Sequence, residues 1–244
     1  MNLNPVLFLT LLSLFLPSCG NHFYTASSHN TPVFNDAGQF KVNLGASHTP
    51  ASTYTDKETG AEAQIAYSLS RRYAFTSSFS YREMAGADIL SRGYYGEGAF
   101  GYFTAIDEDL SFSAFTGLGA GRGSYTYFRD SPQNTSYAKL YIQPAMAFTR
   151  KYVQVALSLR IAGLHHYHLE TPPKVLDSKH FQKISTLASH PTNLLLETAG
   201  TFRLGKDPLK IQFQTGYVSH AFMPDPLSGY FGSIGIHFTV PQGG

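Results

Sequence analysis

The chain has 244 residues, and only 14% of them are charged, against roughly a quarter in ordinary soluble domains. The formal net charge of +2 is too small to indicate binding to nucleic acid or to an acidic partner. Aromatic residues also make up 14%, as 16 Tyr and 19 Phe without any Trp. The length suits one sizeable domain or two small ones.

The first eighteen residues have the pattern of an export signal. Residues 5–17 are apolar except for Thr10 and Ser13. A run of this kind matches the hydrophobic region of a signal peptide, about 7–15 residues, and is shorter than the roughly 20 residues of a transmembrane helix. The sequence therefore predicts a signal peptide over residues 1–18 and an exported protein.

Cys19, the only cysteine of the chain, follows this signal directly. The stretch Leu16-Pro17-Ser18-Cys19-Gly20 resembles the cleavage site of bacterial lipoprotein precursors, although Pro17 stands where a small residue is usual and no Lys or Arg precedes the apolar run. The resemblance implies cleavage before Cys19 and attachment of a diacylglyceryl thioether and an amide-linked acyl chain such as palmitate. Several acyl chains together anchor a protein on a membrane durably, because each buried methylene contributes roughly 0.8 kcal/mol.

Residues 19–37 are polar and turn-prone, with few apolar side chains. Such a composition is typical of a segment that forms no core of its own. We expect a flexible lipidated tether here, which lets the lipid and the following domain occupy the membrane independently. Phe23, Tyr24 and Phe34 are the side chains that could dock the tether on that domain or on a partner.

Residues 38–244 show apolar residues at every second position in many short segments, and this period is typical of β-strands. The alternation is clearest in four segments, and one of them is residues 153–161, where Val153, Val155 and Leu157 alternate with Gln154 and Ser158. The predicted strands lie near Gln39–Ser47, Ala61–Ser70, Tyr73–Glu83, Tyr94–Phe103, Leu110–Phe128, Ser136–Thr149, Tyr152–Gly163, Asn193–Leu204, Leu209–Ser219 and Tyr230–Val240.

The connections between these strands alternate in length. Short ones lie at 71–72, 104–109, 150–151 and 205–208, and long ones at 48–60, 84–93, 129–135, 164–192 and 220–229. Outer-membrane barrels have short periplasmic turns and longer outside loops. The sequence therefore predicts an all-β fold, a single antiparallel up-and-down β-barrel of 8–10 strands with ten favoured, in the outer membrane and with both termini in the periplasm.

Two features weaken individual strands. Pro144 lacks the N–H that a ladder needs, so we expect a bulge or an edge there. Glycines at 96, 98 and 101 and at 117, 119, 121 and 123 permit a bend or a close approach of backbones. These irregular segments keep an eight-stranded alternative open.

The polar face of a spanning barrel points into its lumen, because the apolar face meets lipid. Seven charged residues fall on the predicted inner face, and both signs are present, so that they can neutralise one another. A barrel of this size is largely filled by its own side chains. We therefore predict a plugged lumen with a structural charge network of Glu62, Glu97, Arg160 and Glu197, joined by Lys139, Arg203 and Lys210.

Two constellations could carry chemistry. His165, His166 and His168 stand at the mouth of the longest loop beside Glu170, but no cysteine or second acidic cluster completes a metal site. These histidines are weak candidates, and we predict no metal and no cofactor.

The second constellation would be hydrolytic. His220 and His237 with Ser219 or Ser233 offer a base and a nucleophile. No G-x-S-x-G motif marks one serine out. We predict no catalytic residues and expect that the chain is not an enzyme.

The mature part as a whole resembles the β-barrel lipoproteins of the outer membrane in Bacteroidetes-type bacteria. The resemblance lies in Cys19 with its flanks, in residues 60–67 and in Tyr141-Ile142-Gln143-Pro144. It brings no activity. We therefore expect an anchored barrel with a structural or accessory role, in contact with membrane lipid and with an outer-membrane protein as a candidate partner.

Two other functions stay open. A lipocalin-like barrel on a lipid tether would bind a small apolar ligand, with its apolar face inward. A lipid-modifying enzyme would bring a serine and a histidine together near one rim. The face of residues 153–161 that meets the surroundings distinguishes the lipocalin-like barrel from a membrane barrel.

Overall fold

The computed structural model describes residues 24, 27–49, 57–85, 89–127, 132–170, 185–221 and 229–240. Ten antiparallel strands form a closed barrel with up-and-down connectivity. The predicted all-β barrel is thus confirmed, and it has the favoured ten strands. The strands are β1 Phe40–Thr49, β2 Lys57–Ser68, β3 Tyr73–Ala85, β4 Ile89–Ala105, β5 Leu110–Tyr127, β6 Gln133–Thr149, β7 Val153–Leu169, β8 Thr192–Lys206, β9 Leu209–His220 and β10 Gly229–Val240. The predicted signal peptide and Cys19 lie outside the described residues.

The first and last strands close the barrel. They pair antiparallel from Phe40 with Val240 to Ala46 with Ile234. Closure leaves no strand edge unpaired, as a sheet surrounded by lipid requires. Phe40 and Val240 lie at the end that also carries the turns at 69–72, 106–109, 150–152 and 207–208, which we call the short-turn end. The opposite end is the long-loop end.

One predicted long loop is wrong. The connection expected at 84–93 is only residues 86–88, because β3 and β4 stay paired as far as Ala85 and Leu90. Periodicity missed this extension because Leu90, Ser91 and Arg92 combine one apolar and two polar residues without alternation. The longest connection, 170–191, contains a short helical turn at 185–189 whose Leu187 is buried.

The apolar face of the barrel points outward. In β7, Leu157 is 67% exposed and Ile161 47%, whereas Gln154, Ser158 and Arg160 are buried. The same alternation occurs around the barrel, and the exposed apolar side chains include Leu44, Ile65, Phe75, Phe79, Phe100, Leu118, Leu140, Ile142, Ile211, Ile234 and Ile236. This orientation contradicts the lipocalin-like alternative, which needs the apolar face inside.

Pro144 lies within β6 and not at an edge. It pairs with Ala114 of β5, but the pairing with β7 passes from Ile142–Ile161 to Ala145–Ser158 and skips the two positions between. Since proline has no N–H to donate, the gap falls on the side where that donor would be needed. The strand continues through the gap, so the barrel keeps ten strands.

The glycines of β5 make room for aromatic rings. A Cβ at Gly119 would collide with the Tyr95 hydroxyl, and a Cβ at Gly121 would collide with the Tyr137 ring. Both tyrosines are buried in the lumen. The run therefore serves the close approach of side chains to backbone, which is one of the two roles expected from the sequence.

The predicted free tether is wrong for the residues that the structure describes. Tyr24 and residues 27–34 are buried, and they lie inside the barrel. The polar composition of this segment suggested solvation by water, but inward-facing polar side chains of the barrel supply its hydrogen bonds instead. Among the described residues, no helix is long and apolar enough to cross a membrane.

Candidate functional site: the filled lumen

Tyr24 and residues 27–34, which we call the luminal segment, lie inside the barrel. Side chains of the barrel hold the backbone of this segment. Four consecutive carbonyl oxygens, of Ser28, His29, Asn30 and Thr31, each accept one side-chain hydrogen bond. Their donors are Gln64 at 3.0 Å, Gln214 at 2.9 Å, Gln143 at 2.8 Å and Arg203 at 3.0 Å, from β2, β9, β6 and β8. The Gln214 side chain also accepts the His29 N–H at 2.6 Å. Since buried backbone groups must be paired, these side chains take the place of a neighbouring strand.

Arg160 of β7 is the centre of the luminal charge network. Its Nη2 donates to Glu97 Oε1 at 2.9 Å and its Nη1 to Glu97 Oε2 at 3.2 Å, a bidentate pair. Nη1 also contacts Glu197 Oε2 at 3.3 Å. Gln143 Oε1 accepts from Nη2 at 2.6 Å, and the guanidinium lies 4.1 Å from the Tyr141 ring centroid. Arg160 is completely buried, so its donors depend on these partners.

Lys139 of β6 joins the same network from the side of the long-loop end. Its Nζ donates to the Tyr24 hydroxyl at 2.7 Å and to Glu197 Oε1 at 3.3 Å. Tyr24 in turn donates to Glu197 Oε1 at 2.6 Å, and Tyr95 donates to Glu97 Oε2 at 2.7 Å. Tyr24 thus connects the luminal segment to a cation and an anion of the barrel wall.

The charges of this cluster balance. Arg160 and Lys139 supply two cations, and Glu97 and Glu197 supply two anions, within a set of ion pairs from 2.9 to 3.8 Å. An uncompensated buried charge costs several kcal/mol, whereas a fully paired set offsets most of its desolvation. The neutral cluster is therefore a stable core for the barrel and offers no net charge to a passing ion.

His29 lies between a serine and a carboxylate. Its Nδ1 is 2.7 Å from Ser158 Oγ, and its Nε2 is 3.4 Å from Glu197 Oε2. These residue types occur in hydrolytic triads. Here His29 is 0% exposed and Glu197 1%, and Glu197 is already bound by Arg160, Lys139 and Tyr24. The arrangement anchors the luminal segment, and neither the sequence motifs nor the spacing of residues signalled it.

Glu62, the fourth residue of the predicted network, lies apart from the other three. Its Oε2 accepts the Ser28 hydroxyl at 2.5 Å and lies 3.7 Å from Arg82 Nη2. Arg82 also binds Glu58 at 3.2 Å. The structure therefore brings Glu97, Arg160 and Glu197 together and places Glu62 in a separate group on β2 and β3, bound to the same luminal segment.

Arg203 and Lys210 also point into the lumen, nearer the short-turn end. Arg203 Nε donates to Gln212 Oε1 at 2.7 Å, and its Nη1 holds Thr31 as described above. Lys210 Nζ pairs with Asp207 Oδ2 at 3.0 Å, beside the turn that joins β8 to β9. All seven charged side chains assigned to the inner face are thus buried in the lumen, or at its short-turn rim.

The three histidines of β7 do not converge. His165 is exposed and lies 2.8 Å from Thr192 Oγ1. His166 is buried beside the Tyr137 ring, and exposed His168 pairs with Glu170 at 3.3 Å. His166 and His168 lie on opposite faces of the sheet, because a register shift at Ser136/Tyr137 intervenes between them. In the described part of the chain, no group of three His, Cys, Asp or Glu side chains could hold a metal ion.

The serines and histidines weighed for hydrolysis are also separate. His220 Nε2 lies 2.8 Å from Asn193 Oδ1 near the long-loop end, whereas Ser219 Oγ donates to the Leu196 carbonyl at 3.3 Å. Ser233 Oγ contacts Ser28 Oγ at 3.1 Å. His237 is buried on β10, where it pairs in register with Lys210. The structure joins none of these serines to either histidine.

Comparison with known proteins identifies the fold. No protein-family model matches the chain, and no curated protein is similar to it in sequence. The translocator domain of the autotransporter NalP from Neisseria meningitidis matches with a TM-score of 0.50 and 9% identity, over 84% of this chain and 89% of that chain.

Two further barrels match less well. The beta domain of the Bordetella autotransporter BrkA has a TM-score of 0.47 at 9% identity, over 85% of this chain and 100% of that chain. Ail, the attachment invasion locus protein of Yersinia pestis, has a TM-score of 0.36 at 14% identity, over 84% and 99%. The chain therefore shares the closed β-barrel fold of the NalP translocator domain, and at this identity the likeness extends to the fold alone.

Proposed function

We propose that this chain is a lipid-anchored β-barrel of the outer membrane with a non-enzymatic structural or accessory role, and that its lumen is a sealed core. The observation that carries the proposal is the occupation of the lumen by Tyr24 and residues 27–34. These residues are hydrogen-bonded to strands on opposite walls, and the charge network around Arg160 is neutral. A diffusion pathway would need water-filled space along the axis, where this segment lies instead.

The outer surface supports the location in a membrane. A soluble protein rarely exposes a contiguous apolar area of this extent, whereas an outward apolar band is typical of transmembrane barrels. The strands have 10–18 residues, and crossing a bilayer takes about 9–11. Each strand is therefore long enough to span, and closure of β1 on β10 satisfies the backbone within the bilayer.

The sequence around Cys19 supports the lipid anchor. The chain has a single cysteine, which cannot form an internal disulfide, and it follows an apolar export signal directly. Lipidation explains an unpaired cysteine at this position in an exported protein. Burial of the Ser158, His29 and Glu197 group supports the non-enzymatic role, because no substrate reaches these atoms. In an accessory role within a larger complex, the partner would bind the outer surface or the loops. Such binding leaves the sealed core unchanged.

The first experiment separates the barrel from its lipid. Cys19→Ala, exported by a substitute signal peptide, is compared with wild type by membrane extraction and by mobility on a denaturing gel before and after heating. We expect the variant to remain in the outer-membrane fraction and to shift on heating, since the barrel is integral by itself. Mass spectrometry of the wild-type N-terminal peptide tests the lipid. A soluble periplasmic variant would contradict the integral barrel.

The second experiment tests the sealed lumen. Purified wild-type protein in a planar bilayer should show no conductance steps, because the luminal segment blocks the axis. A variant that lacks residues 20–35, accepted only if it shows heat-modifiable mobility, should conduct. Steady conductance by the wild type would contradict a sealed core.

A further inference from the structure

The luminal segment has a definite direction along the barrel. On β6 its contacts move from Gln143, bound to Asn30, to Lys139, bound to Tyr24. Since β6 begins at Gln133 at the long-loop end, this step leads toward the long loops as the chain is followed toward its N-terminus.

The contacts of the luminal segment with two other strands, β7 and β8, indicate the same direction. On β7 the contacts move from Ser158, bound to His29, to Arg160, which donates to Ser27. On β8 they move from Arg203, bound to Thr31, to Glu197, which accepts from Tyr24. β7 ends and β8 begins at the long-loop end, so both shifts lead there. Three independent strands thus agree.

The two ends of the segment lie in opposite halves of the barrel. The Phe34 ring packs against Phe103 with a centroid distance of 5.1 Å, and Phe103 is two residues from the end of β4 at Ala105. Lys41, at the start of β1, lies over the Phe34 ring. Tyr24 lies 5.6 Å from Tyr137, only four residues from the start of β6 at Gln133. The segment therefore enters from the short-turn end and has crossed most of the lumen at Tyr24.

The remaining distance is short. Four residues of strand cover about 13 Å, and the five residues from Tyr24 to Cys19 reach up to about 17 Å when extended. The lumen around Tyr24 is filled by Tyr95, Tyr137 and Lys139, each at most 2% exposed. A return toward the short-turn end through this packed core would have to displace them.

We propose that the N-terminal segment crosses the whole barrel and that the chain before Tyr24, with Cys19, lies at the long-loop mouth. The placement of the chain rests on the luminal contacts alone. Its consequence for the membrane rests on the proposed function: with long loops outside, the acyl chains on Cys19 enter the outer leaflet. The barrel then presents its own lipid anchor at the cell surface, opposite the periplasmic side that the sequence predicts for both termini.

Cysteine labelling tests the placement in cells. His22→Cys is the probe, Ala188→Cys marks the long-loop side and Lys151→Cys marks the short-turn side; Ala188 and Lys151 are exposed. Intact and permeabilised cells are treated with a maleimide that does not cross membranes. We expect His22→Cys to label in intact cells to the same extent as Ala188→Cys, and Lys151→Cys to label only after permeabilisation. Labelling of His22→Cys only together with Lys151→Cys, or only after denaturation, overturns the proposal.

A second readout is independent of the membrane. In purified full-length protein, a bifunctional maleimide should link His22→Cys to Ala188→Cys and should not link His22→Cys to Lys151→Cys. The reverse pattern overturns the placement. If Ala188→Cys and Lys151→Cys label alike in cells while the crosslink forms as expected, the outer-membrane location fails and the threaded path stands. A free thiol at Cys19, found by mass spectrometry, would contradict the lipid anchor at the cell surface. The path of the segment through the barrel would be unaffected by that result.

Discussion

Arg160 and Glu97 form a bidentate ion pair in the middle of the barrel, with Nη2–Oε1 and Nη1–Oε2 distances of 2.9 and 3.2 Å. The pair joins β7 to β4 inside the lumen, although β6 and β5 lie between these two strands in the sheet. It therefore braces two strands that no backbone ladder joins directly.

Arg160→Met should destabilise the barrel strongly, by about 3–5 kcal/mol, because Glu97 and Glu197 then share Lys139 as the remaining cation. Arg160→Lys keeps the charge but loses the bidentate geometry, so its stability should lie between that of wild type and that of Arg160→Met. The free energy of unfolding is measured from urea titrations that follow heat-modifiable mobility. In the double variant with Glu97→Gln, the loss should be smaller than the sum of the single losses; additive losses would show that the two side chains do not interact.

Gly121→Ala should destabilise the barrel by about 1–3 kcal/mol, because the new Cβ collides with the Tyr137 ring. Gly163→Ala is the matched control, since a Cβ there meets no atom within 4 Å. The two variants are compared by the same urea titration. On a Tyr137→Ala background the cost of Gly121→Ala should largely disappear, and an unchanged cost would mean that strand geometry, not the ring, requires the glycine.

Leu140→Arg should reduce stability in lipid vesicles by about 2–4 kcal/mol, as a cation at the bilayer midplane does. Leu140 is 63% exposed near the centre of β6. Tyr167→Arg, equally exposed but near the end of β7, should cost only about 0–1 kcal/mol because it lies near the interface. Equal losses at the two depths would argue that the outer face is not surrounded by lipid.

Glu170 should make the long-loop end sensitive to acid. The Asn134 N–H donates to its Oε2 at 2.7 Å, and this bond holds the pKa of Glu170 below its usual value. A carboxyl group whose pKa is lower in the folded than in the unfolded state stabilises the fold at any pH above its unfolded-state pKa. This contribution is lost as the pH falls through the folded-state pKa. At neutral pH, Glu170→Gln should therefore weaken hydrogen-exchange protection of the Asn134 amide, and the difference should disappear in strong acid. A pH-independent difference would assign the effect to packing.

The sequence predicted much of the wall and little of what fills it. Alternation in residues 153–161 assigns Gln154, Ser158 and Arg160 to the inner face, since a strand has a period of two. The luminal segment has no such period, because its structure is set by side chains distant in sequence: Gln64, Gln143 and Gln214 bind its carbonyls from 36, 113 and 185 residues away. The several glutamines on the inner faces of the strands, Gln64, Gln143 and Gln214 among them, are the one signal in the sequence that could have indicated a backbone segment inside the lumen.

The same long-range contacts explain why the charge network was predicted as a set but not in its grouping. Inward position assigns Glu62, Glu97 and Glu197 to the lumen equally. Which of them meets Arg160 depends on strand stagger and on Ser28, whose hydroxyl binds Glu62 at 2.5 Å. Strand register across several ladders is not encoded in the period of any one strand.

Closure of β1 on β10 has a consequence for the order of assembly. The luminal segment is continuous with β1 through residues 35–39, and its contacts reach strands on every side of the lumen. A thread of this kind cannot be drawn easily into a ring that is already shut and packed. We therefore expect the seam from Phe40–Val240 to Ala46–Ile234 to form last, after the segment has packed against the other strands. Acyl chains on Cys19 beyond the long-loop mouth, as proposed above, would then keep the segment from slipping back through the closed barrel.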